Sequence, residues 1–117
     1  ALAALRESLG AAWRHSVVLV ATEFGREVAV NGTMGSDHGT GGAAFVLGGA
    51  VAGGRVIADW PGLSKLQRFE GRDLRITTDL RAVMKGVLAD HLKLPDAAIE
   101  NSVLPGSAAV KKLSLLA

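Results

Sequence analysis

Val17-Val18-Leu19-Val20-Ala21-Thr22-Glu23-Phe24-Gly25-Arg26 and, after a short loop, Gly35-Ser36-Asp37-His38-Gly39-Thr40-Gly41-Gly42-Ala43-Ala44-Phe45-Val46-Leu47-Gly48-Gly49 decide how this chain is read. Each stretch joins an apolar run, short enough for a buried strand, to a cluster of charged or glycine-rich residues. Val17 to Ala21 is continuously aliphatic, the pattern of a strand covered on both faces in a parallel sheet. Ligands of open α/β sheets gather at the carboxyl ends of such strands. Glu23 and Arg26 fall at that place.

Working outward, Leu2, Leu5, Leu9 and Trp13 repeat at spacings of three and four, which predicts an amphipathic helix over 2–14 that His15-Ser16 breaks. Helix followed by buried strand is half of a βαβ unit. From Gly25 to Gly42 the pattern gives way to turn chemistry, a loop longer than ordinary connections. Ala43 to Leu47 predicts a second strand, and Arg55-Val56-Ile57-Ala58, beyond Gly53-Gly54, predicts a hairpin return that Trp60-Pro61-Gly62 ends. Asp73 to Thr77 alternates as an edge strand does. Leu80, Val83, Met84, Val87, Leu88 and His91 form a stripe at helical spacing, predicting a helix over 79–92 with Thr77 or Thr78 as cap, Asp79 in its first turn and Pro95 beyond its end.

The bulk numbers limit the classes. A length of 117 residues allows one domain with a core. With 49% hydrophobic residues, 21% charged, and 15 glycines against 3 prolines, the chain reads as folded and turn-rich. Its 13 Lys and Arg are scattered and aromatic residues are 4%, so neither a basic stripe nor a stacking platform for nucleic acid is present. Without cysteine there is no disulfide, thiolate nucleophile or cysteine metal site. No apolar run approaches the roughly 20 residues that span a bilayer. The chain begins with Ala1 inside a helical pattern, which suggests a piece of a longer protein.

Several residues could carry chemistry. A carboxylate at Glu23 can bind metal or act as a base, and the Arg26 guanidinium can clamp an anionic oxygen. Alternatively the two pair with each other and tie the loop to the sheet. Asp37-His38 offers a carboxylate oxygen and an imidazole nitrogen, both normal donors to a divalent metal. The plainer alternative is an Asx-type turn at Asp37 beside a loop histidine. Capping explains Asp79, and Trp60 beside a Pro-Gly turn reads as a loop anchor. The glycines form no P-loop and no dinucleotide fingerprint, and no serine sits in a nucleophile elbow.

The ordered set Thr22-Glu23-Phe24-Gly25-Arg26, Asn31-Gly32, Asp37-His38-Gly39, Phe45-Val46-Leu47-Gly48-Gly49, Gly53-Gly54-Arg55-Val56, Trp60-Pro61-Gly62-Leu63, Asp73-Leu74, Thr77-Thr78-Asp79-Leu80-Arg81 and Leu104-Pro105-Gly106 resembles the carboxyl-terminal part of the domain of unknown function 1501 family. Members of that family are commonly exported with a twin-arginine signal, and they are several times longer than this chain. The family is distantly similar to the alkaline-phosphatase superfamily of phosphatases, sulfatases and phosphodiesterases, which place one or two metals on a doubly wound α/β sheet. In that superfamily a buried strand runs into a metal-binding Asp-His-Gly. Glu23-Phe24-Gly25 stands at that position, so Glu23 replaces the aspartate while Phe24 cannot coordinate. A later His-Gly before an apolar strand matches His38-Gly39.

The resemblance implies an α/β fold, a fragment of a doubly wound alkaline-phosphatase-like sheet with flanking helices and a small hairpin. Residues 1–117 would be one unit, the carboxyl-terminal segment of a larger domain. Its implied partner is the amino-terminal portion of that domain, which would hold the nucleophile and remaining carboxylates. The implied site has Glu23, Asp37 and His38 as ligands of a divalent metal (Zn, Ca or Mn) and Arg26 as the catalytic group facing an anionic phosphate or sulfate ester. The fragment alone would be inactive, and the location periplasmic or extracellular. The competing expectation is a non-catalytic exported surface or scaffold module that keeps the fold without a complete metal centre.

Overall fold

A computed structural model describes residues 1–117. The chain divides into two compact units, one comprising Ala1–Leu19, Phe45–Arg55 and Asp79–Ala117, the other Val20–Ala44 and Val56–Thr78. Helices and short strands are mixed, consistent with the α/β class, and the strands form two separate two-stranded sheets.

In the first unit, Leu2–Leu9 forms α1, and the chain tightens into 3₁₀ turns over Gly10–His15. Gly10, at φ 50°, ends α1 with its N–H on the Arg6 and Glu7 carbonyls. A left-handed backbone there favours glycine. Val18–Val20 is β1 and Phe45–Leu47 is β4, and the two pair with each other. The sequence predicts a β1 buried on both faces, but Val18 and Leu19 are half-buried and Val20 is exposed. A sheet of two strands offers too little surface to cover both faces.

The predicted hairpin between 43–47 and 55–58 does not form. After β4, Gly48 and Gly49 pass so close to the backbone of Ser16, Trp13 and Arg14 that a Cβ at either would clash. The chain then turns to the carboxyl-terminal tail: Val51 bridges Leu116, and Ala52 N–H donates to Leu115 O at 2.9 Å. Arg55 to Ala58 is left without a strand partner.

The predicted helix over 79–92 is present as α2, Leu80–Gly86, widening into a π-helical turn over Val87–His91. Asp79 itself is the N-cap, its carboxylate accepting from Arg81 N at 2.8 Å, so neither Thr77 nor Thr78 serves. The face that is fully buried is Ala82, Lys85 and Gly86, while the apolar stripe is half-buried. The tail decides this: Leu113 N–H donates to Ala82 O at 3.0 Å, and the Leu113 backbone lies against Gly86 where a Cβ would stand. A short helix, α3 at Asp96–Ala98, continues as a π turn over Ile99–Val103. Ile99, Ala82 and Leu115 are the buried apolar residues.

The Asp79 cap carries a pH prediction. The side-chain hydrogen bond from Arg81 holds the Asp79 carboxyl below its usual value, with the backbone bond from Arg81 adding to it. A carboxylate depressed in the folded state contributes stability that is complete above its unfolded value, about 4, and is lost as pH falls through the folded one. Helical circular dichroism of the wild type should therefore weaken at acid pH through a step that Asp79→Ala lacks. That variant should cost ~1 kcal/mol at neutral pH, as loss of a cap does.

Candidate functional site

The candidate residues lie in the second unit. Gly25–Arg26 is β2 and His38–Gly39 is β3, an antiparallel pair with Gly25 opposite Gly39 and Arg26 opposite His38. Close approach of these strands requires glycine. A Cβ on Gly25 would overlap the Gly41 carbonyl, one on Gly39 would stand 2.6 Å from Arg26 C, and one on Gly41 would press on Leu74 O. The glycines that read as generic loop chemistry are therefore the spacing device of the ribbon.

The register sets which side chains meet. Directly opposed residues of an antiparallel pair share a face, so Arg26 and His38 are neighbours. Phe24 is on the diagonal: its ring stacks on the His38 ring with centroids 3.9 Å apart and planes at 22°. The Arg26 guanidinium carbon is 5.6 Å from the Phe24 ring centroid. Arg26 Nη1 donates to Ser36 O at 2.9 Å. Phe24, Arg26 and His38 are all exposed. An exposed guanidinium beside an imidazole suits an anionic group with an oxygen edge.

Asp37 immediately precedes β3, next to His38. The Asp37 Oδ1 accepts from Asn31 Nδ2 at 2.8 Å. Asn31 organises the loop: its Oδ1 accepts from Thr33 N, Thr33 Oγ1 and Gly35 N at 3.1, 2.9 and 2.8 Å. Ser36 Oγ donates to Glu27 O at 3.0 Å, and Glu27 N–H to Asp37 O at 3.1 Å. The Asn31-Gly32 turn signal marked this position without revealing that one amide side chain holds four partners.

Glu23 is exposed and forms no ion pair with Arg26. The ion pair that ties this region together belongs instead to Glu27, which Arg72 Nε meets at 2.8 Å. Arg72 also lies 3.6 Å from Asp73 Oδ1, and Glu27 and Asp73 are bridged through the backbone. Asp73 is 4% exposed with Oδ1 lacking a hydrogen-bond partner. Nothing in the alternation of 73–77 distinguished this buried carboxylate. No group of three or more His, Asp or Glu is gathered closely enough to hold a metal ion. No helix is long and apolar enough to cross a membrane.

Compared with known families, residues 1–103 match the family model described as protein of unknown function DUF1501. No curated protein and no solved structure matches the chain.

Proposed function

The chain belongs to the DUF1501 family, and on that premise we propose that it supplies part of the site of a metal-dependent phosphate or sulfate ester hydrolase. The observation carrying this reading is the cross-strand pairing of Arg26 with His38 on one exposed face. Arg26 would face the anionic ester and stabilise the charge that grows on its oxygens, a preorganised donor whose loss typically costs 10²–10³ in rate. His38, Glu23 and the free oxygen of Asp37 are the metal donors in this reading. They do not close a centre by themselves. The rest of the proposed centre, including the nucleophile, comes from the amino-terminal portion of the same domain. That portion would also cover apolar side chains such as Leu2, Leu5 and Phe45, which stand 43%, 39% and 61% exposed. An exported, periplasmic or extracellular location goes with the resemblance to the DUF1501 family, whose members are commonly exported with a twin-arginine signal.

Titration calorimetry with Zn²⁺, Mn²⁺ and Ca²⁺ on the protein together with the polypeptide encoded upstream of Ala1 tests the reading. Stoichiometric binding that His38→Ala abolishes is expected, with hydrolysis of an aryl phosphate or sulfate lowered at least ~100-fold by Arg26→Ala. Absence of binding, or binding that ignores His38→Ala, overturns the metal role. A second reading, a non-catalytic surface or scaffold module, is favoured by Phe24, which carries no donor atom at the position where the superfamily resemblance implies a metal-binding histidine.

A further inference from the structure

Arg55-Val56-Ile57-Ala58-Asp59 has the composition of a strand and no sheet to join. None of the backbone N–H and C=O groups from Arg55 to Gly62 has a partner within the chain. Gly53-Gly54 stands before the segment, with Gly54 at φ 73°, and Pro61, which has no N–H, stands after it. A segment of strand-like sequence whose backbone groups are all unpaired can template pairing with another chain. The side chains are equally uncovered: Val56 is 91% exposed, Ile57 47% and Trp60 63%.

We propose that this segment is a dimerisation strand that pairs antiparallel with the same segment of a second copy, about a two-fold axis at Ile57. The order of residues favours self-pairing. With Ile57 opposite itself, Val56 faces the partner's Ala58 and Arg55 faces the partner's Asp59, so each end of the ladder carries an opposite-charge pair. Alternation puts Val56, Ala58 and Trp60 on one apolar face, with Trp60 opposite the partner's Gly54, where a ring can cover the bare backbone. Arg55 already donates through Nη2 to Ser114 O at 2.6 Å, which steadies the side chain and leaves its other N–H groups for the carboxylate.

Sedimentation equilibrium of the chain, with circular dichroism as the folding check, decides the matter. The wild type should be a dimer at micromolar concentration. Asp59→Arg, which sets arginine against Arg55, should weaken association at least ~10-fold, and the double exchange Arg55→Asp/Asp59→Arg should restore it. Ile57→Pro, which removes a ladder N–H on an exposed residue, should leave a folded monomer. A monomeric wild type overturns the proposal, including one whose Val56 to Ala58 amides gain protection only when another polypeptide is added. So does association that ignores both Asp59→Arg and Ile57→Pro, because the contact would then lie elsewhere.

Discussion

Replacing Glu100 by alanine is expected to destabilise the protein by about 3 kcal/mol, read as a fall in the urea midpoint at unchanged slope. The reason is the position of Lys85. Its side chain is 5% exposed on the buried face of α2, and its ammonium donates to Glu100 Oε1 at 2.6 Å and Ser107 O at 3.1 Å. Deleting the carboxylate strands a buried charge, which typically costs 3–5 kcal/mol. The Glu100 side chain is 26% exposed, so water reaches the vacated place and the lower end applies. Removing both charges with Lys85→Met/Glu100→Leu should cost much less, since an apolar pair of similar volume avoids the desolvation of two ions. A Glu100→Ala cost below ~1 kcal/mol would show that the pair behaves as a surface ion pair.

Gly25→Ala should be the most damaging small substitution in the second unit, costing ~2–3 kcal/mol. The added methyl would overlap the Gly41 carbonyl, which is backbone and cannot swing aside as a side chain would. The strands must separate, breaking the 3.2 Å bond from Arg26 N–H to Gly41 O and the register that sets Arg26 opposite His38. The unit has little else to resist this, because its fully buried residues are Gly25, Gly41 and Asp73 rather than large apolar side chains. In proton NMR, the His38 ring protons should lose the ring-current shift that stacking on Phe24 imposes. Gly32→Ala, with nothing within 4 Å of the added Cβ, should leave both stability and shifts nearly unchanged. Retention of the His38 shift in Gly25→Ala would refute the spacing role.

Helices were the most legible elements because their signal is local. The stripe from Leu80 to His91 places α2 and its π turn to within a residue, and Leu2 to Trp13 places α1 with its 3₁₀ extension. Strand identity was partly legible and strand pairing was not. The runs containing Val18–Val20 and Phe45–Leu47 are both strands, but their pairing with each other depends on where Gly48 and Gly49 press against the 13–16 backbone. The return strand expected at Arg55 has the right residues, and the tail takes the place beside Val51 instead. At the candidate site, residue chemistry marked Glu23, Arg26, Asp37 and His38, while register brings Arg26 and His38 together and ties Asp37 to Asn31.

The sequence by itself determined the helices, the family, the absence of cysteine chemistry, and a strand followed by Glu23 to Arg26 and a glycine-rich loop ending in His38. These follow from periodicity, composition and short-range order, which each residue expresses through its near neighbours. Only the tertiary structure decided that Phe24 stacks on His38, that Arg72 binds Glu27 beside the buried Asp73, and that Lys85 lies buried on Glu100. Those contacts join residues 14, 45 and 15 positions apart, and their existence depends on chain paths set by glycine clearances and the returning tail. Such paths are a property of packing, which no local pattern of residues encodes.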